Sequence, residues 1–180
     1  HNFDYHLPVI GSFQGENSAL AVMTAELFGI PFSQIEQGLE RVRIPGRMEI
    51  IARNPLVIVD CAHNPPSAIA TAREIFKLGL APAIFLVGIN SPKDYEKMIY
   101  HWSKVAKCFI FTKANSPRTY SPQMLADCAE HRFGIKSFVQ ENPALALQQA
   151  IDMTAENEGT IFVAGSAYLA GEILAGWKMV

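Results

Sequence analysis

Cysteine, charge and long apolar runs are all scarce in this sequence of 180 residues. The three cysteines, Cys61, Cys108 and Cys128, are too few and too scattered for a disulfide framework, so we expect a reducing compartment, the cytoplasm. Charged residues make up 18% and the net charge is -2, which gives no electrostatic reason to expect nucleic acid as a partner. No apolar run approaches the roughly 20 residues that span a bilayer, so no membrane partner is expected either.

Two phosphate-binding motifs are also missing. The sequence contains neither G-x-x-x-x-G-K-[ST] nor a G-x-G-x-x-G that follows a predicted strand. Alone, the chain therefore has no recognised loop for a triphosphate or a dinucleotide, which argues against a dinucleotide-dependent oxidoreductase. The first residues, H-N-F-D-Y-H, lack both an initiator Met and the apolar core of a signal peptide. A fragment of a longer protein and a processed chain both fit this beginning.

The first 43 residues have a helical pattern. Apolar side chains recur at helical spacing over residues 16–28, which predicts a helix there. Ser33 and Glu36 are spaced as a capping box for a short second helix that runs to residue 41. An R-I-P-G sequence then breaks the pattern. We therefore predict a domain boundary that separates residues 1–43 from residues 44–180.

Strands and helices alternate after this boundary. The predicted strands lie at residues 48–52, 56–60, 83–87, 108–112, 136–139 and 160–164. The predicted helices lie at residues 67–77, 95–102, 122–132, 143–156 and 166–177. A short N-P turn joins the first two strands and predicts that they pair antiparallel, while apolar runs such as L-V-I-V suit strands covered on both faces. The prediction is a three-layer α/β domain with a six-stranded, mainly parallel sheet and one antiparallel edge strand.

Polar residues follow the predicted strands at the points where the strands end. Ligands of such sheets bind beyond the carboxyl ends of the strands. The segments there read D-C-A-H-N-P at 60–65, G-I-N-S-P-K-D at 88–94, K-A-N-S-P-R at 113–118 and G-S at 165–166. The sequence therefore predicts a ligand site at this rim of the sheet.

Asp60 ends a strand that we expect to be buried, and two interpretations of it stay open. It is either the cap of the helix that begins near residue 65 or a carboxylate directed at a ribose, an amine or a cation. His63 and Asn64 add hydrogen-bonding groups three and four residues further on. A lone histidine is more often structural, but three such groups within five residues favour a functional site.

Gly165 and Ser166 lie between an apolar strand and a helix. Their N–H groups and the hydroxyl suit a carboxylate or phosphate, although from these two residues alone ordinary N-capping by Ser166 is the favoured interpretation. Cys61 and His63 do not predict a thiol nucleophile, because no third group is evident that would orient them. The histidines and cysteines also lack zinc-binding spacing, so no metal site is predicted.

Taken in order, these motifs resemble the folylpolyglutamate synthase and dihydrofolate synthase branch of the Mur ligase superfamily. The D-x-A-H-N-P turn at 60–65 is the most specific of them. Further segments resemble the family's G-x-H-Q-x-x-N at 11–17, W-P-G-R-x-E at 44–49, D-K-D at 93–94, N-P-R at 115–118 and G-S-L-Y-L at 165–169. The chain departs from the family pattern at Phe13, Cys61 and Ala167, where His, Gly and Leu are usual.

The resemblance implies the C-terminal part of an ATP-dependent ligase that joins a carboxylate to L-glutamate through an acyl phosphate. Residues 44–180 would form its Rossmann-like C-terminal domain, and residues 1–43 the helical tail of its ATPase domain. The P-loop and the Mg²⁺ ligands would lie upstream, so the chain alone would be inactive. The resemblance implies folate or dihydropteroate as the carboxylate substrate. It also implies the missing N-terminal ATPase domain as a partner and a monomer as the oligomeric state.

The resemblance also implies roles for five residues. Asn17, Arg47 and Asp60 would bind ATP, and Arg47 would neutralise phosphate charge. His63 and Ser166 would hold the incoming glutamate, with Asp60 and His63 as the catalytic residues. One alternative stays open, a non-catalytic Rossmann-like module that binds a nucleotide or an amino acid.

Overall fold

The computed structural model describes residues 5–154 and 159–177. The helices described there are α1 (Ser12–Leu27), α2 (Phe32–Glu40), α3 (Pro65–Lys77), α4 (Tyr95–Trp102), α5 (Pro122–Phe133), α6 (Pro143–Asp152) and α7 (Ala167–Trp177). The strands described there are β1 (Glu49–Arg53), β2 (Leu56–Val59), β3 (Ala83–Val87), β4 (Ala106–Phe111), β5 (Ser137–Val139) and β6 (Thr160–Ala164). None of these helices is both long and apolar enough to cross a membrane.

The six strands form one sheet in the order β1-β2-β6-β3-β4-β5. β1 pairs antiparallel with β2, and every other neighbouring pair is parallel. The last strand, β6, lies between β2 and β3, with Val163 opposite Val59 on one side and Leu86 on the other. This arrangement confirms the predicted mainly parallel sheet with one antiparallel edge strand.

Helices cover both faces of the sheet. α3, α4 and α5 pack on one face, where Trp102 of α4 lies 5.9 Å from Phe85 between ring centroids. The indole Nε1 of Trp102 donates to Thr71 Oγ1 at 3.0 Å, which satisfies its buried N–H. α6 and α7 pack on the opposite face. Every residue of β3 and β6 is buried between these layers, which explains their continuous apolar sequences.

The N-terminal helices differ from the prediction in their ends and exposure. α1 begins at Ser12, four residues before the predicted start at residue 16, and its periodic apolar side chains, including Leu20 and Leu27, are mostly exposed. The capping box predicted for α2 is wrong, because α2 begins at Phe32 and Ser33 already lies in its first turn. α6 ends at Asp152, and the predicted end at residue 156 lies outside the described residues.

The start of α1 is held by a residue of α3. α1 has no side-chain cap of its own; instead, the backbone N–H of Ser12 donates to Glu74 Oε2 at 2.9 Å, and the Ser12 hydroxyl donates to Glu74 Oε1. Lys77 Nζ approaches the same hydroxyl at 3.3 Å. A carboxylate at a helix N-terminus is electrostatically favourable. This contact positions α1 beside the carboxyl end of β2, where Phe13 packs against the core.

Candidate functional site

Backbone hydrogen bonds bring the carboxyl ends of three strands together. Asp60 N donates to Val163 O at 2.9 Å, and Gly165 N donates to Ala62 O at 2.8 Å. Gly165 has a φ of 113°, and a Cβ there would lie 2.6 Å from the carbonyl oxygen of Gly88. The turn after β2 and the Gly165-Ser166 pair after β6 are therefore neighbours, as the predicted rim requires.

The two polar loops that follow β3 and β4 are tied to each other. Asn90 Nδ2 donates to Ser116 Oγ at 3.2 Å, and Ser91 N donates to Arg118 O at 2.7 Å. Thr119 Oγ1 donates to Asn90 Oδ1 at 3.2 Å. Several polar groups of this part of the rim thus stabilise the loops.

Asp60 holds two backbone segments through both of its carboxylate oxygens. Oδ2 accepts from Met48 N at 2.9 Å, and Oδ1 accepts from Ala62 N at 2.7 Å. Met48 has a positive φ of 48°, uncommon for a residue with a side chain. Because Met48 directly follows Arg47, the buried Asp60 fixes the backbone turn that carries the Arg47 guanidinium.

Burial and neighbouring charges shift the pKa values of the side chains in this turn in opposite directions. Burial raises the pKa of Asp60 above its ordinary value, against the lowering effect of the two N–H groups and of Arg47 and His63. Burial likewise raises the pKa of the Cys61 thiol, with Arg47 again opposing the shift. Because the thiolate is the nucleophilic form, a raised pKa makes Cys61 a poor nucleophile.

Asn64, and not Asp60, caps α3. Asn64 Oδ1 accepts from Ser67 N at 2.9 Å, and Ser67 Oγ accepts from Asn64 N at 3.1 Å, which completes a capping box. The interpretation of Asp60 as this cap is therefore wrong, and the side-chain oxygen of Asn64 is engaged in the cap. The cap lies next to a proline at the first position of the helix, as is common at helix starts.

His63 and Ser166 are both fixed by local contacts. His63 Nδ1 lies 2.8 Å from the carbonyl oxygen of Cys61, which can only accept, so Nδ1 carries the proton of the neutral ring and Nε2 is its basic nitrogen. Ser166 is buried, and its Oγ accepts from Leu169 N at 3.1 Å, which confirms the N-capping interpretation. The Ser166 hydroxyl keeps its proton for donation while it caps α7.

A cavity of about 410 Å³, which we call the Arg47 cavity, brings together the three residues with a predicted ATP role. It is lined by Phe13, Gln14, Asn17, Ile44, Arg47, Asp60, Ser67, Ala70 and Thr71. Arg47 and Asn17 are exposed, and Asn17 Nδ2 donates to Gln14 Oε1 at 3.1 Å. His63 and Ser166 are not among the lining residues. Within the described ranges, no group of three or more His, Cys, Asp or Glu side chains is arranged to hold a metal ion.

Gln14 is a candidate that the sequence prediction missed. It is 4% exposed and lines the Arg47 cavity, yet its Nε2 has no hydrogen-bond partner among the described residues. Its position in the G-x-H-Q-x-x-N-like segment was the sequence feature that could have identified it.

Comparisons with known proteins place these features in a family. Residues 46–167 match the family model of the Mur ligase, glutamate ligase domain. The chain is 30% identical over 181 residues to the dihydrofolate synthase/folylpolyglutamate synthase of Mycobacterium tuberculosis, with 92% of this chain and 36% of that relative covered. It is 28% identical over 179 residues to the folylpolyglutamate synthase of Lacticaseibacillus casei, with 94% and 40% covered.

A solved structure supports the same relationship. The folylpolyglutamate synthase of Mycobacterium tuberculosis, complexed with ADP, superposes with a TM-score of 0.88 at 26% identity, and covers 97% of this chain and 42% of its own. The chain thus spans about two fifths of the length of each of these three proteins. With its family model, relatives and fold in agreement, the chain belongs to the Mur ligase family and carries the glutamate ligase domain, as its motifs predicted.

Proposed function

We propose that this chain is part of an ATP-dependent ligase that joins a folate-type carboxylate to L-glutamate through an acyl phosphate. The observation that carries the proposal is the Arg47 cavity, in which Asn17, Arg47 and Asp60 meet between α1, α3 and the turn before β1. The relatives named as folylpolyglutamate synthases, one of them complexed with ADP, support the nucleotide and the glutamate.

In this proposal Arg47 supplies positive charge to the phosphates, and Asp60 positions it. A guanidinium is always protonated, so its attraction to phosphate does not depend on pH near neutrality. Asp60 holds Met48 N and Ala62 N, and each carboxylate oxygen retains a further lone pair for a ribose hydroxyl. Asn17 uses its amide nitrogen on Gln14 and keeps its carbonyl oxygen as an acceptor.

We assign the incoming glutamate to the adjacent rim. Ser166 stands at the start of α7, where a hydroxyl and a helix N-terminus favour a carboxylate. The basic Nε2 of His63 would accept a proton from the glutamate ammonium group. The amine then attacks the acyl carbon, the C–N bond forms, and the C–O bond to phosphate breaks. The second proton of the amine leaves with the released inorganic phosphate. Closure around these groups would exclude water from the acyl phosphate.

The Mg²⁺ that family chemistry implies finds no fitting ligand set among the described residues, so no step of the proposal runs through a metal held by this chain. We place the metal ligands and the P-loop upstream, with residues 1–43 as the tail of that ATPase domain and residues 44–180 as the C-terminal domain. We further propose a monomeric, cytoplasmic enzyme.

A non-catalytic binding module is the alternative. A P-loop in the reading frame upstream of His1 would support the ligase, whereas a start codon near His1 would support the module.

Ligation assays test the proposal. The longer protein should release phosphate and form amide with ATP, glutamate and a folate substrate, whereas the 180-residue chain should do neither. Arg47→Ala in the longer protein should lower the rate by about 100-fold or more, as for loss of a preorganised charge-stabilising group. Arg41→Ala is the matched control, because Arg41 is exposed and lies outside the Arg47 cavity. Near-normal ligation by the Arg47→Ala protein would exclude the proposed phosphate role.

A further inference from the structure

Glu74 is a buried carboxylate that the proposed reaction does not use. It lies in α3 at 5% exposure, beside the buried Ile75, and a charge so buried must be paired and hydrogen-bonded. Ser12 of α1 donates to it twice, from its backbone N–H at 2.9 Å and from its hydroxyl. Lys77 Nζ lies 3.5 Å from Glu74 Oε1, but Lys77 is exposed to solvent. Among the described residues, Glu74 therefore depends mainly on α1 for its partners.

The first turn of α1 is where this helix docks on α3. Phe13, next to Ser12, packs against the core on the α3 face of the sheet, whereas Leu20 and Leu27 further along are exposed. The Glu74 carboxylate also lies at the positive end of the α1 dipole, which strengthens the attraction. Docking of α1 on α3 thus depends on contacts that centre on Glu74 and Phe13.

Docking of α1 shapes the Arg47 cavity, because α1 and α3 both contribute to its lining. The lining residues from these helices are Phe13, Gln14 and Asn17 of α1 and Ser67, Ala70 and Thr71 of α3. Ser12 directly precedes the α1 group, and Glu74 lies about one turn after the α3 group. The contact between Ser12 and Glu74 therefore joins the two helices beside the cavity.

We propose that Glu74 is a positioning residue for the ligation reaction, which docks α1 on α3 through Ser12 and so brings Asn17 to the Arg47 cavity. This inference rests on the proposed nucleotide role of that cavity. Glu74 does not line the cavity and acts only through α1. ATP binds the docked arrangement, in which Asn17 and Arg47 reach one ligand. When only a fraction of the molecules is docked, the apparent affinity for ATP falls by that fraction.

Steady-state ligation by the longer protein tests the inference, with ATP as the varied substrate. Glu74→Gln keeps the shape of the side chain but loses its charge and one acceptor oxygen. It should raise the KM for ATP about tenfold, as expected for a weakened hydrogen bond to a charged group. The kcat and the KM for glutamate should stay unchanged, because saturating ATP restores docking. Glu130→Gln is the matched control and should change none of these values, since Glu130 accepts from Ser137 N at 3.0 Å but lies outside the Arg47 cavity.

Substitutions at Ser12 provide a second test of the same contact. Ser12→Thr keeps both donors and should leave the KM for ATP near normal, whereas Ser12→Ala loses the hydroxyl and should raise this KM about threefold. In the Glu74→Gln protein, Ser12→Ala should have a smaller effect, because the two residues share one contact. NMR spectroscopy of the 180-residue Glu74→Gln chain should show shifted backbone amide resonances for residues 12–17 and unchanged ones for β3 and β6.

Three outcomes would overturn the inference. If Glu74→Gln changes neither the KM for ATP nor the resonances of residues 12–17, Glu74 does not dock α1, while the proposed function stands. If Glu74→Gln lowers kcat and shifts β3 and β6 as well, and Ser12→Ala leaves the KM for ATP unchanged, Glu74 only supports the fold. If the unaltered longer protein forms no amide, the proposed function fails, and the role assigned to Glu74 fails with it.

Discussion

Replacing Asp60 with Ala tests whether this carboxylate holds the turn that carries Arg47. The substitution leaves two buried N–H groups, those of Met48 and Ala62, without their acceptor. A hydrogen bond to a charged group contributes about 1.5–3 kcal/mol. Removal of a buried charge offsets part of the loss, since burial raises the pKa of Asp60. We expect the free energy of unfolding to fall by about 2–4 kcal/mol.

Urea unfolding measures this change. Asp127→Ala is the control, because Asp127 is exposed and accepts a hydrogen bond from the Gln123 side chain, so it should change stability by about 0.5 kcal/mol or less. The pH dependence has a defined sign. With a folded pKa raised above 3.8, the stability that Asp60 contributes is fully present below that pH and is lost as the pH rises through the folded pKa. The difference in free energy of unfolding between the unaltered chain and the Asp60→Ala chain should therefore become smaller from acid to neutral pH. A loss of unfolding free energy no larger than that of the control would show that Asp60 does not hold the turn.

Three further substitutions test the surrounding frame. Gly165→Ala should cost about 3 kcal/mol or more, from the positive φ and the clash with Gly88, and an unchanged melting temperature would contradict this. Asn64→Ala should cost about 1 kcal/mol in urea unfolding through loss of the α3 cap, whereas Asn64→Asp should be nearly neutral. Burial raises the pKa of Glu74, but the hydrogen bonds from Ser12 outweigh burial and hold this pKa below 4.5. The stability that Glu74 contributes is therefore present above pH 4.5 and is lost as the pH falls through the folded pKa. Glu74→Gln should therefore be less stable than the unaltered chain near neutral pH, and a difference independent of pH would count against the Ser12 contact.

The sheet was predictable because its signals are local. Alternation of apolar runs with helical segments located all six strands within about two residues, and the short turn between the first two predicted their antiparallel pairing. The start of α1 was not predictable in this way. Its carboxylate partner, Glu74, lies 62 residues from Ser12 in the sequence, and no local pattern shows that contact.

The meeting of the strand ends at the candidate site was also predictable, but the contacts that its residues make were not. The carboxyl ends of parallel strands meet at one rim, so the turn after β2 and Ser166 had to be near each other. The role of Asp60 depends on Met48, twelve residues earlier, whose positive φ has no signature in the sequence. The cap of α3, which was one of two open interpretations of Asp60, is supplied by Asn64.

A second contact locks the Arg47 turn to the turn after β2. Cys61 N donates to Gly46 O at 2.7 Å, and a Cβ at residue 46 would lie 2.6 Å from Cys61 Sγ, so the thiol fills the space above Gly46. Together with the bond from Met48 to Asp60, this makes residues 46–62 one unit with the sheet. The bonds from Ser12 to Glu74 cross the predicted domain boundary instead. If residues 1–43 move with an upstream domain, those bonds must break, whereas Arg47 stays with Asp60. The nucleotide that we propose for the Arg47 cavity would then contact both parts, because Asn17 and Arg47 come from opposite sides of that boundary.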